Sequence, residues 1–480
     1  MSEKKSIIQS FVHIGVGTFL NMLIGFITTP IITRLVLPAE YGRLSIFNLY
    51  INIAVMVLCL GLDQSLVRYY YKTNDIVYKS ILIRKCSLIP FLLSVLVPLL
   101  VFFSMNLLGV SFEFADVWIP LVLGIVGHMI FRYSILVLRL EGKSKSYAKV
   151  NVINKSLFAA AAILIAIIFD NRSFSVLAFS TVFAIIIASI IGISEMRDLW
   201  FKRNKTIISN SSGVDFKELV RYGLPFILAM GLTTLFEAID KLSLNKYCDY
   251  STVGIYTGAI NIVNVFAIIQ TTFNTLWAPV SIKHYEENPD DKEFYSNFNI
   301  TITFIMFLFG FSLILFKDVF GLMLGQKYRE AAFIIPFLTF HPIMYTISET
   351  TITGVVVKKK SYIHILTAGI SCLINLIGNT LLVPALGARG AAFSTGISYI
   401  VFWGLRTAFG MKYFNFDIKL LRLTIVILLL IVYSLYNSFY RFGVISLILY
   451  IISVSVLLYL YRATFIKILL SIKKLIFKMK

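Results

Sequence analysis

A cationic side chain, Arg132, lies about two helical turns inside an apolar stretch, with His128 one turn away on the same helix face. An ionisable group that faces lipid costs at least ~2.5–3.5 kcal/mol, so such residues usually face a cavity or a partner. In an aqueous cavity, the planar guanidinium of Arg132 could bind a diphosphate group through its fork of donors. Alternatively, Arg132 extends past Arg139 to the membrane interface.

Three charged residues, Glu237, Asp240 and Lys241, lie together in a second apolar stretch. Residues three or four positions apart are neighbours on a helix, so Glu237 and Lys241 could neutralise each other and leave Asp240 over. A carboxylate inside a membrane could take up a proton or Na⁺ during a transport cycle. Lys241 could instead face a cavity and contact phosphate.

Glu349 is a third candidate, because it follows Ser348 in an otherwise apolar segment. His341 and Pro342 lie about two turns earlier, and a proline inside a helix frees a backbone carbonyl and can bend the helix. We therefore expect a hinge or a cation site here, or alternatively a glutamate near the inner interface. The five histidines of the chain are scattered and indicate no metal site.

Long stretches without charged residues must position these side chains. The stretches 6–33, 86–112 and 250–282 each exceed the ~20 apolar residues with which a helix crosses ~30 Å of hydrocarbon. Continuous apolar runs exclude the alternating strands of a membrane barrel. The sequence therefore predicts an all-α polytopic membrane protein with about fourteen transmembrane helices. The predicted spans are 7–29, 43–62, 84–105, 117–138, 150–169, 174–194, 222–245, 252–275, 298–316, 331–356, 361–383, 390–410, 421–437 and 443–461.

Composition agrees with this fold and excludes several functions. The chain is 58% hydrophobic and 14% charged, whereas soluble domains are ~25% charged. The net charge of +20 does not predict nucleic-acid binding, because the basic residues lie in short loops, where they set topology and meet anionic lipid headgroups. With neither a phosphate-binding loop nor a long hydrophilic domain, we predict no enzyme activity, catalytic residue, metal or organic cofactor.

Basic residues also predict the orientation. If the N-terminus is cytoplasmic, the loops and tails on that side hold 33 Lys and Arg residues and the opposite side holds 9. This excess predicts that both termini are cytoplasmic. Segment 462–480, in which lysines alternate with Ile, Leu and Phe, is expected to form a basic amphipathic helix on the inner leaflet. A frayed basic tail is the alternative.

Two loops at the predicted outer face are similar and indicate an internal duplication. A shift of 212 residues places Arg34 on Lys246 and Gly42 on Gly254. Two lobes of six spans in the same orientation, with the substrate path between them, are a transporter architecture. The alternative is a two-bundle protein without a function between its bundles. The predicted lobes and the C-terminal part, with two extra spans and the basic tail, are 1–211, 212–411 and 412–480.

These loops resemble those of polysaccharide-biosynthesis (Wzx-type) flippases of the multidrug/oligosaccharidyl-lipid/polysaccharide exporter superfamily. The resemblance rests on 33–42 (TRLVLPAEYG), 61–70 (GLDQSLVRYY), 239–241 (IDK) and 384–392 (PALGARGAA). It covers nearly the whole chain and includes the fourteen-span count. The order and spacing of the motifs are specific to the family and not to a substrate.

The resemblance implies a flippase of the bacterial cytoplasmic membrane that works by alternating access. Its cargo would be a polyprenyl-diphosphate-linked oligosaccharide, carried from the inner to the outer leaflet for O-antigen, capsule or exopolysaccharide assembly. Polysaccharide polymerases and glycosyltransferases would be its partners. The two extra spans resemble this group and not the twelve-span drug exporters. Because the chain has no nucleotide-binding module, a gradient of H⁺ or Na⁺ would supply the energy.

Under this hypothesis, the cavity cations Arg132 and Lys241, with His128 beside them, bind the diphosphate. Arg34 and Arg68, at span ends, would guide the glycan or phosphate, or else bind lipid headgroups. The residues expected to couple the ion are Asp240, Glu237 and Glu349.

Polar groups inside the apolar stretches could line a sugar path or form interhelical hydrogen bonds. These residues are Asn21, Asn52, Asn264, Gln270 and Asn274. The alternative function is a cation-coupled antiporter of drugs or other small molecules, whose cavity should be acidic. The mixed charges of this chain favour an anionic substrate over a cationic one.

Overall fold

The computed structural model describes residues 2–110, 112–168, 172–201 and 215–478. Within these ranges every regular element is a helix and no strand occurs, which confirms the predicted all-α fold. The chain divides into two compact units, Met1–Ala238 and Ile239–Lys480. The lobe boundaries expected at 211 and 411, and the duplication itself, stay predictions.

The first unit is built from eight complete helices and the start of a ninth, which continues into the second unit. These are α1 (Ser2–Leu35), α2 (Pro38–Leu58), α3 (Leu62–Tyr69), α4 (Ile76–Leu107), α5 (Trp118–Leu140), α6 (Ser144–Ile168), α7 (Phe174–Ser194), α8 (Arg197–Phe201) and α9 (Phe216–Tyr247). Short 3₁₀ turns precede α4 and α5.

The second unit contains the end of α9 and eleven further helices. These are α10 (Tyr250–Glu287), α11 (Lys292–Leu315), α12 (Lys317–Met323), α13 (Ala331–Leu338), α14 (Phe340–Thr351), α15 (Thr353–Val357), α16 (Tyr362–Leu386), α17 (Ala388–Tyr413), α18 (Leu420–Phe439), α19 (Val444–Leu460) and α20 (Arg462–Lys478). The predicted tenth span is divided into α13, α14 and α15. Pro336 and Pro342, which lack an amide hydrogen, lie on either side of the first break at Thr339.

The helices confirm a multi-pass membrane protein. In the described part of the chain, nine helices are long and apolar enough to cross a membrane, or eleven if each of two bent pairs is one span. All fourteen predicted spans lie on helices; the three beyond those eleven lie on α1, α9 and α17. Of these, α17 includes the charged residues Arg389, Arg406 and Lys412.

The turn before α2 joins three segments at one end of the first unit. Pro38 lies in the first turn of α2, where an amide hydrogen would have no acceptor within the helix, so its absence in proline costs no hydrogen bond. Glu40 Oε2 accepts a hydrogen bond from the backbone N–H of Phe174 and so caps the first turn of α7. Arg43 donates to Asp116 Oδ1 at 2.7 Å, and its guanidinium lies 4.6 Å from the centre of the Phe174 ring. Glu40 of the 33–42 motif therefore fixes the start of α7, and Arg43, directly after the motif, holds the segment before α5.

Two turns of the second unit, at 246–254 and 384–392, also lead into helices. Asp249 Oδ1 accepts a hydrogen bond from the backbone N–H of Thr252 at 2.7 Å and caps α10. Gly387, with φ +56°, separates α16 from α17 in a conformation that favours glycine.

Helix α3 is hydrogen-bonded to the first turns of α9. Ser65 Oγ donates to the backbone oxygen of Leu219 at 2.6 Å, and the Tyr69 hydroxyl donates to Glu218 Oε1 at 2.8 Å. Gly61, with φ +66°, lies directly against Gly223, where a Cβ on Gly223 would be 2.7 Å from the carbonyl oxygen of Gly61. This contact sets the position of α3.

A carboxylate at the end of α5 joins the same region. Glu141 Oε1 accepts hydrogen bonds from Lys79 Nζ at 2.6 Å and from the Tyr70 hydroxyl at 2.8 Å. Burial raises the pKa of Glu141, but the hydrogen bonds from Lys79 and Tyr70 outweigh it and hold that pKa below its usual value. The start of α4 and the end of α5 are thus held together by a charged group.

Helix α20 turns sharply away from α19. The axes of Val444–Leu460 and Arg462–Leu470 differ by 81°. At the bend, Phe465 packs against Phe304 of α11, with 6.0 Å between their ring centres. The orientation of α20 relative to a membrane stays a prediction.

Candidate functional site

A polar cavity of about 230 Å³ lies within the first unit, between helices α2, α5, α6 and α7. Residues four positions apart lie on one helix face, which places Asn48 and Asn52 of α2 together. The lining residues are Asn48, Asn52, His128, Asn154, Lys155, Phe158, Thr181 and Ile185. Of the candidates from the sequence, His128 lines this cavity, as does Asn52 from the expected sugar path.

Lys155 is the cation of this cavity, and the sequence analysis did not identify it. It lies eleven residues after the start of α6 at Ser144, where the polar first half of the helix meets the apolar stretch 156–168. No described residue forms a hydrogen bond or an ion pair with its ammonium group. In the sequence, Lys155 lies near the start of the predicted span 150–169, close to the basic residues that set topology. An unpaired ammonium group inside a membrane helix favours an anionic ligand.

His128 and Thr181 leave acceptors for the same cavity. His128 Nδ1 lies 2.9 Å from the carbonyl oxygen of Gly124. Because a carbonyl can only accept, Nδ1 carries the hydrogen, and in the neutral ring Nε2 is left as an acceptor. The Thr181 hydroxyl donates to the backbone oxygen of Leu177 at 2.9 Å and can still accept.

Arg132, one turn after His128 on α5, is paired within the first unit. Its Nη2 lies 2.5 Å and its Nε 3.1 Å from Oδ2 of Asp63, whose side chain is 5% exposed. Asp63 belongs to the 61–70 motif but had no assigned role, since its short helix α3 lies outside the apolar stretches. Its carboxylate compensates the charge of Arg132, whereas Lys155 has no charged partner among the described residues.

In the second unit, Asp240 lies at the centre of a buried hydrogen-bond cluster. Its Oδ2 accepts hydrogen bonds from the hydroxyls of Tyr256 and Thr395, each at 2.6 Å. Its Oδ1 accepts from the amides of Asn379 at 2.8 Å and Asn375 at 3.2 Å. Asp240 is 5% exposed, and each of the four donors is at most 5% exposed. Helices α9, α10, α16 and α17 each contribute to this cluster.

Asp240, which the sequence predicts to couple an ion, is a single carboxylate among neutral groups in this cluster. Four neutral donors around one carboxylate stabilise its ionised form. Asn379, whose Nδ2 donates to the carboxylate, also has a buried Oδ1 for which the described residues supply no hydrogen-bond donor. A single carboxylate among neutral oxygens balances one positive charge. Within the described residues, no group of three or more His, Cys, Asp or Glu could hold a metal ion.

Glu349 forms a buried ion pair in the second unit. Arg406 of α17 donates through Nη1 to Glu349 Oε1 at 2.8 Å and to Ser348 Oγ at 2.9 Å. The Arg406 side chain is 4% exposed. In the sequence, Arg406 lies near the end of the predicted span 390–410, close to the basic residues that set topology. The compensated charge leaves Glu349 less suited than Asp240 to bind a cation.

The remaining candidates lie apart from these clusters. Arg34 and Arg68 are exposed in the last turns of α1 and α3. Lys241 is half-buried and follows Asp240 in the second unit. The side chain of Glu237 lies outside the described residues, so its pairing with Lys241 stays a prediction. The structure thus groups His128 with Lys155 and Arg132 with Asp63 in the first unit.

Solved transporters share this fold. The lipid II flippase MurJ, in an inward closed conformation, matches 96% of this chain and 100% of its own with a TM-score of 0.68 and 16% identity. An inward-facing multidrug resistance MATE family transporter of the MOP superfamily matches 82% of this chain and 94% of its own, with a TM-score of 0.59 and 16% identity. At these identities, the likeness establishes the fold alone.

Sequence comparison adds a relative and a family. The "Uncharacterized membrane protein MJ1068" of Methanocaldococcus jannaschii is 22% identical over 428 residues, or 81% of this chain and 82% of the relative. Residues 7–285, more than half of the chain, match the family described as "Polysaccharide biosynthesis protein". The chain therefore belongs to the polysaccharide biosynthesis protein family, as its loop motifs predicted.

Proposed function

We propose that this protein is a flippase that moves a polyprenyl-diphosphate-linked oligosaccharide from the inner to the outer leaflet of the bacterial cytoplasmic membrane. The observation that carries the proposal is Lys155, which lines a polar cavity among apolar helices and forms no ion pair with any residue that the structure describes. A diphosphate is an anion, and the ammonium group can bind it directly because no carboxylate among the lining residues neutralises the lysine. Membership of a polysaccharide biosynthesis family supports a glycan-bearing cargo.

The diphosphate would bind at Lys155, with His128 beside it, while the polyprenyl tail stays in the bilayer. Helices α18 and α19, the two extra spans, would accommodate that tail. Arg132, one turn after His128 on α5, is paired with Asp63 of α3, and this pair would keep α5 in position beside the bound head group. Alternating access would then expose the bound head group first to one side of the membrane and then to the other.

The energy would come from an ion that binds at Asp240. The proposed ion is H⁺ or Na⁺, because the cluster offers one carboxylate and several neutral oxygens. Binding of a cation would neutralise Asp240 and change its hydrogen bonds to α10, α16 and α17. Movement of these helices relative to α9 would link ion binding to transport. Glu349, paired with Arg406, would support the helix packing.

Glycosyltransferases would build the cargo, and a polysaccharide polymerase would use it after transport. Anionic lipids would contact the basic residues of the protein. The alternative is a cation-coupled antiporter of small molecules or drugs. A cationic drug would be repelled by Lys155, so this alternative needs a different binding position.

The test is depletion of the protein in its own cells, followed by analysis of polyprenyl-linked oligosaccharides by mass spectrometry. We expect intact repeat units to accumulate on the inner leaflet while surface polysaccharide is lost. Restoration by the wild-type chain, but not by Lys155→Ala, would link the effect to the cavity. Normal surface polymer without accumulation, in cells that lack a second flippase, would contradict the proposal and favour the antiporter.

A further inference from the structure

The cavity of the first unit offers more hydrogen-bonding groups than a diphosphate can use. Asn48, Asn52 and Asn154 line it, and no described residue forms a hydrogen bond with their side chains. Asn48 Oδ1 is buried there without a partner. A buried acceptor without a partner is unfavourable, so this oxygen requires a donor from a ligand or from water.

An ionised diphosphate cannot supply that donor, because its oxygens only accept hydrogen bonds. The amide oxygens of the asparagines can accept a hydrogen bond from a ligand. The hydroxyl oxygen of Thr181 and, when the ring is neutral, Nε2 of His128 can do the same. The lining therefore combines one cation with several acceptors and the N–H donors of the amides. A sugar that carries a phosphate group satisfies both requirements, since its hydroxyls donate and accept.

The size of the cavity restricts which part of the cargo it can enclose. Its volume of about 230 Å³ is below the ~300–1,000 Å³ of pockets that hold drug-sized ligands. An oligosaccharide does not fit, whereas a single sugar ring with its phosphate is of the right scale. Asn154 directly precedes Lys155 on α6, which places an amide beside the cation. The sugar that reaches the amides is thus the one attached to the diphosphate.

We propose that Asn48, Asn52 and Asn154 form a sugar-specificity subsite, which selects the cargo by the hydroxyl or acylamino groups of the sugar next to the diphosphate. This proposal rests on the proposed flippase function. It assigns different roles to two groups of residues in the cavity. Lys155 binds the anionic group that every such cargo shares, and the amides distinguish one cargo from another.

The experiment measures binding of short-chain prenyl diphosphates to the purified full-length protein in lipid nanodiscs. One probe has no sugar, and the others carry a single hexose or N-acetylhexosamine. Asn48→Leu and Asn52→Leu remove the hydrogen-bonding groups and keep the side-chain size. Asn151→Leu is the matched control, since Asn151 lies on α6, donates to the backbone oxygen of Tyr147 and does not line the cavity. Lys155→Ala tests the diphosphate contact separately.

We expect the wild-type protein to bind at least one sugar-bearing probe on the order of tenfold more tightly than the sugar-free probe. Asn48→Leu and Asn52→Leu should remove this difference and leave the affinity for the sugar-free probe unchanged. Lys155→Ala should weaken all probes alike, and Asn151→Leu should behave as wild type. If the wild-type protein binds all probes equally, or if the asparagine variants keep the sugar preference, the subsite is overturned while the flippase function stands. Failure to bind any probe would overturn the proposed function, and the subsite with it.

Discussion

A single lysine decides which charge the cavity of the first unit can accept. Lys155 and its neighbours present an ammonium group and amides, without a carboxylate among the lining residues. The second unit has the opposite arrangement, in which Asp240 is surrounded by neutral donors. An anionic cargo and a coupling cation would therefore be recognised by different units, which permits each site to be altered alone.

The first prediction concerns Lys155. Lys155→Ala should reduce transport of the lipid-linked cargo by about 10- to 100-fold, because a hydrogen bond to a charged group is lost. Lys155→Arg should retain part of the activity, since the charge remains. The measurement is flipping of a fluorescent prenyl-diphosphate sugar in vesicles reconstituted with each variant. Lys149→Ala, on the same helix but outside the cavity lining and paired with Glu195, is the control; equal losses at both lysines would refute a specific role for Lys155.

The second prediction concerns Asp240. In the wild-type protein, a coupling ion that binds the folded state should raise the melting temperature as its concentration increases. Asp240→Asn should abolish this response, because it removes the charge while preserving the shape of the side chain. Melting is followed in nanodiscs with increasing Na⁺, and across a range of pH at constant Na⁺. Asp249→Asn, which alters only an exposed helix cap, should keep the wild-type response. A response in the Asp240 variant equal to that of wild type would exclude this site.

Helices and their contacts determine where these residues lie. The contact between Gly61 and Gly223 has no space for a side chain, and Gly61 also requires a positive φ. The third prediction is that Gly223→Ala lowers the free energy of unfolding by ~1–3 kcal/mol, because a Cβ must displace backbone atoms of Leu60 and Gly61, just before α3. Gly25→Ala is the control, since nothing lies within 4 Å of a Cβ at that position. Thermal unfolding in detergent compares the two, and similar melting temperatures would contradict the close contact.

The fourth prediction concerns α20, which follows the bend of 81° after α19. From Arg462 onwards the sequence contains six Lys and Arg residues and no acidic one, and Ile466 and Leu469 are exposed. Such a helix should lie on a membrane surface and bind anionic lipid, with ~1 kcal/mol from each basic residue near the surface. Replacing Lys473, Lys474 and Lys478 with Gln should reduce the stabilisation of the protein by anionic over neutral lipid.

A second triple variant serves as the control for α20. Lys358, Lys359 and Lys360 lie between α15 and α16, outside any amphipathic helix, and are replaced with Gln in the same way. Melting temperatures are measured in nanodiscs of phosphatidylcholine with and without phosphatidylglycerol. Equal effects of the two triple variants would show that general charge, and not α20, accounts for the lipid dependence.

The sequence predicted the helices well because apolar length is a local property. Each of the fourteen expected spans lies on a helix. Charged residues were harder to interpret, since Lys155 and Arg406 lie near the ends of their predicted spans, where basic residues also set topology. The partners of Asp240 were not predictable either: Asn375 and Thr395 lie on helices far along the sequence, and only folding brings them to the carboxylate.

At the scale of the whole molecule, the distribution of basic residues leads to the fifth prediction. Both termini should be on the cytoplasmic side, because that arrangement places 33 of the Lys and Arg residues there. Single cysteines in the loops of a cysteine-free variant can be labelled from outside intact cells with a membrane-impermeant reagent. Cysteines at Ser361 and Asp290 should be protected and those at Gln326 and Arg441 labelled. The reverse pattern would invert the orientation and, with it, the proposed direction of transport.

The buried pair of Arg406 and Glu349 affects how the chain enters the membrane during synthesis. An arginine in an isolated helix raises the free energy of insertion by ~2.5–3.5 kcal/mol. Helix α14 precedes α17 in the chain, so Glu349 is already present when Arg406 leaves the ribosome. We expect α17 to integrate poorly by itself and well when the preceding helices are still close to the insertion machinery. A charge pair that is hidden in the mature protein would thus govern the order in which its helices assemble.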